Sequence, residues 1–146
     1  VYGPYQDPNS EYSAVIPIFI KKALANKPIT ILGDGTTSRD FTFVEDVVEA
    51  TIRAGLHLDD SQLEPLDIGG GVSASLNEVI NMVQEITGSK TRMDNYPLPP
   101  GDPKVTTAST TSVKRLLGWE ATTSLMDGLK KQHLSYLFSS QQEYQY

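Results

Sequence analysis

The chain has 146 residues, of which 38% are hydrophobic and 21% charged, and its formal net charge is −6. This length accommodates one domain with its own core, or parts of two domains. The acidic balance argues against a nucleic-acid or anionic-membrane surface, because both require a basic face. The chain has no cysteine and no run near the roughly 18 apolar residues of a membrane span. We therefore expect no membrane association and a reducing, cytoplasmic location.

The first residues indicate that the chain begins inside a fold, because Val1 opens an apolar stretch that leads directly into turns. We therefore expect a fragment of a longer protein. Apolar residues then recur with helical spacing from Ile16 to Leu24, and Pro17 is tolerated in the first turn of such a helix. The β-rich run 29–32 predicts a strand.

Residues 39–43 predict a short extended segment that leads into a second helix. Thr42 and Glu45 have the spacing of a capping box, which places the helix start there. The helix is expected to end near Leu56. Its predicted apolar stripe consists of Val44, Val47, Val48, Thr51 and Ile52.

A polar loop is predicted at 59–64, followed by a short strand at 66–68 that ends at the glycine run 69–71. Ser75 and Glu78 form a second capping box and predict a third helix. The residues expected to line its inner face are Leu76, Val79, Ile80 and Val83.

The last third predicts a strand at 92–96, an irregular proline-rich segment at 97–103 and a short helix at 111–117. Ser124 and Asp127 cap a final helix. Its expected inner residues are Leu125, Leu129, Tyr136 and Leu137. Because strands alternate with helices, the predicted fold class is α/β.

Several kinds of active centre are missing from the sequence. His57 and His133 lie far apart, without metal-ligand spacing, and we interpret both as surface or helix-end residues. The chain has no G-x-G-x-x-G, and no Tyr is followed four residues later by Lys. The glycine run 69–71 has no glycine three residues on, so we interpret it as a tight exit from a strand.

One segment has the chemistry of an anion site. The glycine turn 33–35 permits close backbone approach, Arg39 can bind a phosphate bidentately, and the next helix offers N-terminal N–H groups. These groups would suit a diphosphate. The alternative is a hairpin loop in which Arg39 pairs with Asp40 or Glu45 on the surface.

Motifs from both halves of the chain occur in one order. They are Val1–Pro4, Gln6–Ser10, Val15–Pro17, Gly33–Gly35, Ser38–Val47, Ile68–Gly71, Ser75-Leu76-x-Glu78, Gly101-Asp102, Leu117–Trp119 and Ser124-Leu125-x-x-Gly128-Leu129. This set resembles the extended short-chain dehydrogenase/reductase family and, within it, the NAD-dependent epimerase/dehydratase branch. The early motifs look most like those of UDP-glucose and UDP-N-acetylglucosamine 4-epimerases.

The resemblance implies which part of such an enzyme the chain represents. It corresponds to the C-terminal substrate-binding lobe, with one helix and one or two strands left over from the Rossmann layer. Residues 1–138 would bind the nucleotide sugar, with 3–65 and 72–138 mainly lobe and 44–71 partly Rossmann layer; 139–146 would be a flexible tail. The partners would be a UDP-sugar and the missing N-terminal Rossmann half, which would carry NAD and the catalytic Tyr and Lys. This chain alone would bind no NAD and be inactive.

Six residues match positions that contact the nucleotide in the family. By resemblance, Arg39 binds the diphosphate, Ala14 and Val15 run along it, Thr30 and Leu32 flank the uracil, and Asp102 reaches the ribose. Other interpretations stay open at this stage: Val15 and Leu32 as core residues, Thr30 as a strand surface residue, and Asp102 as a turn residue.

The sequence also departs from the family pattern. Many relatives carry an arginine two residues before the Gly of the Gly-Asp pair, where this chain has Pro99. Arg92 or Lys104 would have to replace that second diphosphate ligand.

Two other functions stay open. The parent enzyme could be a dehydratase, decarboxylase or reductase acting on another nucleotide sugar, or the chain could be a non-catalytic binding module. Helix and strand faces left without their Rossmann neighbours would be apolar and exposed, which predicts homo-oligomers.

Overall fold

The computed structural model describes residues 1–10, 14–57 and 65–142, and in them short strands alternate with helices. The helices are α1 (Val15–Leu24), α2 (Val44–His57), α3 (Leu76–Thr87), α4 (Thr111–Leu117) and α5 (Leu125–Gln142). The strands are β1 (Ile29–Leu32), β2 (Ser38–Arg39), β3 (Ala74–Ser75), β4 (Met93–Tyr96) and β5 (Val105–Thr106). The α/β class predicted from the sequence is confirmed.

The strands form two small ladders. β1 and β4 pair in parallel, with Ile29 opposite Met93. In the second ladder β2 is central, because it pairs antiparallel with β3 and parallel with β5. Ser38 is therefore opposite both Ser75 and Val105. The second ladder brings together segments more than sixty residues apart in the sequence.

The main hydrophobic core lies where α1, α3 and α5 pack around β1. Each helix contributes residues at i, i+3 or i+4, as the apolar periodicity predicts. The buried members of this core are Tyr2, Ile16, Phe19, Ile20, Ala23, Ile29, Ile31, Phe43, Leu76, Val79, Ile80, Val83 and Leu129.

Tyr2 fixes the beginning of the chain to this core. Its backbone N–H donates to the Thr42 carbonyl (3.0 Å), and its carbonyl accepts from the Val44 N–H (2.9 Å). Its ring meets Phe43 edge-on, with the centroids 5.5 Å apart. A side chain at Gly128 would collide with the Tyr2 hydroxyl, so only glycine fits there. Burial raises the pKa of the Tyr2 phenol.

Two of the three predicted N-terminal caps form at helix starts. The Ser75 hydroxyl accepts from the Glu78 N–H (3.2 Å), while the Glu78 carboxylate accepts from the Ser75 N–H (2.7 Å). These hydrogen bonds hold the pKa of Glu78 below its usual value. Ser124 accepts from the Asp127 N–H in the same way. The prediction at Thr42 is wrong by one residue, because α2 begins at Val44 and Thr42 instead donates to Asp40.

The strand predicted at 66–68 is wrong. A strand needs a neighbour for its N–H and C=O groups, and within the described ranges this segment pairs with none. Leu66 and Ile68 pack instead against a second, smaller core. That core consists of Ala50, Val113, Leu117 and Trp119, with Ala54, Leu116 and Ala121 beside them.

Helix α2 buries a different face from the one predicted. Asp46 and Ala50 are its buried residues, whereas Val48, Ile52 and Leu56 are 50%, 56% and 73% exposed. Because these three residues recur every four positions, they form one continuous apolar surface, here called the α2 apolar face. The expectation that some helix faces expose apolar side chains therefore applies to α2 within the part of the chain that the structure describes.

Other predictions fall near the end of the described ranges or outside them. Leu137 is 39% exposed rather than inward. Helix α5 continues to Gln142, past the predicted start of the tail at 139. The predicted loop 59–64 and the last residues, 143–146, lie outside the described residues. Among the helices that are described, none combines the length and the apolar character needed to cross a membrane.

We expect Ile52→Glu to reduce self-association, because it places a charge in the centre of the α2 apolar face. The measurement is the weight-average mass by sedimentation over a range of concentrations. Val72→Glu is the matched control, since Val72 is 77% exposed and belongs to a loop, not to α2. A monomeric wild-type chain, or equal association by the two variants, would contradict a role for this face.

Candidate functional site

A cleft of about 420 Å³ lies between α1 and β1 and extends to the end of β2. One wall is the outward side of α1, and the other is β1, whose alternate residues point into and out of the core. The residues that line it are Val15, Ile18, Phe19, Lys22, Thr30, Ile31, Leu32, Thr37, Arg39, Leu76 and Asp102. Most of the lining is apolar, and the charged residues among the described lining are Lys22, Arg39 and Asp102.

The structure brings five of the six predicted nucleotide-binding residues to this one cleft. Val15 lies on α1, Thr30 and Leu32 on β1, Arg39 at the end of β2, and Asp102 in the loop before β5. Ala14, the sixth, is the residue immediately before α1 and has extended backbone (ψ 160°). Residues separated by up to 87 positions in the sequence, Val15 and Asp102, thus share one surface.

Arg39 is held in place by three acceptors. Its Nη1 donates to the carbonyls of Ser38 (2.9 Å) and Pro103 (2.8 Å), and its Nη2 donates to Oδ1 of Asp102 (2.9 Å). Within the described part of the chain, these contacts occupy three of the five guanidinium N–H donors. Arg39 is 28% exposed, so the charge is partly shielded from water while the remaining donors can serve a ligand.

The alternative prediction, in which Arg39 pairs with Asp40 or Glu45 on the surface, is wrong. Asp40 and Glu45 are both engaged elsewhere, since Glu45 pairs with Lys131 at 2.6 Å. Asp102 is the partner instead, in a loop in which Gly101 has a φ of 88° that favours glycine. Asp102 is therefore more than a turn residue, because its carboxylate and Arg39 form a donor–acceptor pair at one end of the cleft.

Asp40 stabilises the loops behind the cleft. Its carboxylate accepts from the backbone N–H groups of Gly70 (2.8 Å), Gly71 (2.9 Å) and Ala108 (3.1 Å). This arrangement consumes the N–H groups with which the glycine run could have bound a phosphate. The sequence does not reveal it, because the partners of Asp40 lie 30 to 68 residues away.

Asp46 has a similar structural role at the buried end of α2. Its carboxylate accepts from the Thr122 N–H (3.2 Å), the Thr122 hydroxyl (3.2 Å) and the Thr123 N–H (3.2 Å). A buried carboxylate needs such donors to offset the loss of water. In the sequence, the one indication of this role is that Asp46 precedes Ala50 by four positions and therefore shares its helix face.

The remaining charged candidates are not among the residues that line the cleft. The Arg92 side chain is 75% exposed and pairs with Asp94, and neither Arg92 nor Lys104 lines the cleft. His133 is half-buried, which lowers its pKa, and His57 is exposed. The described residues include no cluster of three or more side chains that could hold a metal ion.

Comparison with known proteins identifies the family. Residues 1–69 match the NAD dependent epimerase/dehydratase family. The chain is 37% identical to the uncharacterized UDP-glucose epimerase YtcB of Bacillus subtilis over 95% of its own length and 42% of that protein. It is 32% identical to UDP-glucuronic acid decarboxylase 2 of Arabidopsis thaliana over 79% of its own length and 25% of that protein.

A solved structure matches over the same extent. The UDP-glucuronic acid 4-epimerase of Bacillus cereus, in complex with UDP-glucuronic acid and NAD, superposes with a TM-score of 0.84 at 34% identity. The match covers 94% of this chain and 43% of that one. The chain belongs to the NAD dependent epimerase/dehydratase family, and it spans less than half the length of these relatives.

We expect Asp40→Asn to lower the free energy of unfolding by about 1–3 kcal/mol, because one carboxylate oxygen that accepts N–H groups becomes an amide donor. Asp102→Asn is the control. Its ion pair is partly exposed, so the change should stay within about 1 kcal/mol. Urea unfolding of both variants measures the difference, and equal effects would contradict the role assigned to Asp40.

Proposed function

We propose that this chain is the C-terminal, nucleotide-sugar-binding part of an NAD-dependent UDP-sugar 4-epimerase. The observation that carries the proposal is the guanidinium of Arg39, fixed at the end of a mostly apolar cleft that also contains Val15, Thr30, Leu32 and Asp102. The sequence similarity to epimerases supports the choice of substrate class.

Arg39 is the proposed contact for the diphosphate. A guanidinium matches the geometry of phosphate oxygens and forms charge-assisted hydrogen bonds with them. The apolar lining keeps water from screening this attraction fully. The backbone at Ala14 and Val15, where α1 begins, would run along the same diphosphate.

The nucleoside would lie along the cleft from that point. Thr30 and Leu32 are the proposed contacts of the uracil, because they are the residues of β1 that face outward from the core. The Asp102 carboxylate is an acceptor and suits the hydroxyl groups of a ribose. Asp102 would then serve both the ribose and Arg39, which it already contacts at 2.9 Å.

The glycine run 69–71 does not fit an NAD site. It lacks the dinucleotide fingerprint, and two of its N–H groups are bound to Asp40. We propose that NAD binds in the remainder of the protein, where it would accept hydride from the sugar. This chain would hold the nucleotide and leave the sugar ring free to turn.

A decarboxylase is the second candidate. The similarity to UDP-glucuronic acid decarboxylase 2 of Arabidopsis thaliana favours it over other reactions on nucleotide sugars. The same cleft would serve both enzymes, because both substrates share the nucleotide. For either enzyme we propose a cytoplasmic location, which the absence of cysteine supports.

We expect Arg39→Ala to weaken the binding of UDP by roughly 10- to 100-fold, because charge-assisted hydrogen bonds to the diphosphate are lost. Titration calorimetry with UDP measures the change. Arg92→Ala is the matched control, since it removes an exposed arginine outside the cleft. Equal affinities for UDP in wild type and Arg39→Ala would refute the proposed contact.

We expect the chain alone to show no interconversion of UDP-glucose and UDP-galactose when NAD is added. The physical reason is that no Tyr-x-x-x-Lys pair is present to move the proton. A coupled assay of UDP-galactose, with a complete epimerase as positive control, provides the measurement. Sustained turnover by the purified chain would overturn the proposed division of labour.

A further inference from the structure

Lys22 is a second cationic side chain in the cleft, and nothing in the proposed function uses it. Among the residues that the structure describes, Lys22 and Arg39 are the cations that line this cleft. Lys22 follows Val15 by seven residues on α1, which corresponds to about 10 Å along the helix axis. It therefore lies well beyond the beginning of the helix, where the diphosphate is proposed to lie.

The contact that Lys22 makes determines what this part of the cleft can recognise. Its Nζ donates to the hydroxyl oxygen of Thr30 at 2.9 Å. An ammonium group has three donors and no acceptor. Because the Thr30 oxygen accepts from Lys22, the Thr30 hydroxyl hydrogen can be donated to a ligand. The pair therefore presents N–H and O–H donors to a ligand beside β1.

A surface of donors distinguishes one pyrimidine from another. Uracil carries a carbonyl oxygen at C4, as thymine does, whereas cytosine carries an amino group there. A carbonyl accepts from both the Lys22 ammonium and the Thr30 hydroxyl, whereas an amino group finds no acceptor on the Lys22 ammonium. Unpaired groups of this kind, once removed from water, are a strong basis for rejecting the wrong ligand.

We propose that Lys22, together with Thr30, selects uracil over amino-bearing bases in the nucleotide that this cleft binds. The inference rests on the proposed function, since it assumes that a nucleoside diphosphate occupies the cleft. It adds a residue that determines base specificity, on the helix wall facing β1.

The chain offers a matched control for Lys22 in the preceding residue. The Lys21 ammonium donates to the side chain of Asn9, and Lys21 is not part of the cleft lining. Both lysines lie in the last turn of α1, so their replacement changes net charge and helix end equally. Methionine keeps most of the length of the side chain while removing the donors.

The experiment is titration calorimetry of UDP and CDP against wild type, Lys22→Met and Lys21→Met. We expect wild type to favour UDP by at least about tenfold, a ratio typical of one well-placed hydrogen-bonding group. Lys22→Met should lose roughly tenfold in UDP affinity with little change for CDP, so that the preference nearly disappears. Lys21→Met should retain the wild-type preference. Circular dichroism confirms that all three chains are folded.

Other outcomes separate this inference from the proposed function. An equal loss of UDP and CDP affinity in Lys22→Met would overturn base selection and assign Lys22 to the diphosphate. An unchanged preference for UDP in Lys22→Met would also overturn it. If UDP binding depends on Arg39 but not on Lys22, the proposed function stands and only this inference fails. Binding of neither nucleotide by wild type would refute the proposed function and the inference together.

Discussion

Arg39 and Asp40 are consecutive residues of opposite charge, and both the cleft and the loops behind it depend on them. Arg39 is bound to the Pro103 carbonyl and to the Asp102 carboxylate, on the side of the cleft. Asp40 is bound to the backbone of the glycine run 69–71 and of Ala108. Two adjacent side chains thus connect the end of β2 to three segments that are distant in the sequence.

The cleft combines a charged group with apolar surroundings. Each charge in it has a partner that keeps it from being isolated: Asp102 for Arg39, and the Thr30 hydroxyl for Lys22. The Asp102 carboxylate and the Thr30 hydroxyl can also form hydrogen bonds with a nucleotide. Because the walls are mostly apolar, a bound anion would interact with Arg39 more strongly than at an open surface. Affinity and orientation can therefore come from few polar contacts.

Local signals predicted most of the helices and the strands at 29–32 and 92–96, but not the pairing of these two strands. The apolar periodicity of α1 and the capping box at Ser75 act within one or two turns, so the sequence contains all the information they need. Five of the residues that line the cleft were predicted as site residues by resemblance, which supplied long-range neighbours that no local pattern contains. Asp102 was assigned to a ribose, and its contact with Arg39 was not foreseen, because 63 residues separate the two.

The failed predictions share a physical cause. Periodicity shows that α2 has an apolar side but does not show whether a neighbour covers it, and here the buried side contains Asp46 and Ala50. The segment 66–68 has the composition of a strand, yet a strand forms only beside another backbone. The Asp46 carboxylate accepts from the backbone N–H groups of Thr122 and Thr123. The sequence around Asp46 contains no pattern that indicates such distant partners.

The shortness of β2 has a consequence for how exactly this ladder must align. Neighbouring side chains on extended backbone leave its two faces alternately, so a slip of a single residue would turn the Arg39 guanidinium away from the cleft and the carboxylate of Asp40, the residue after β2, towards it. An anion would then meet repulsion in the cleft, while the glycine N–H groups would face a cation. Neighbours on both sides of β2, opposite Ser38 at Ser75 and Val105, oppose such a slip. The sign of the electrostatic potential in the cleft therefore depends on the register of a strand of only two residues, Ser38 and Arg39.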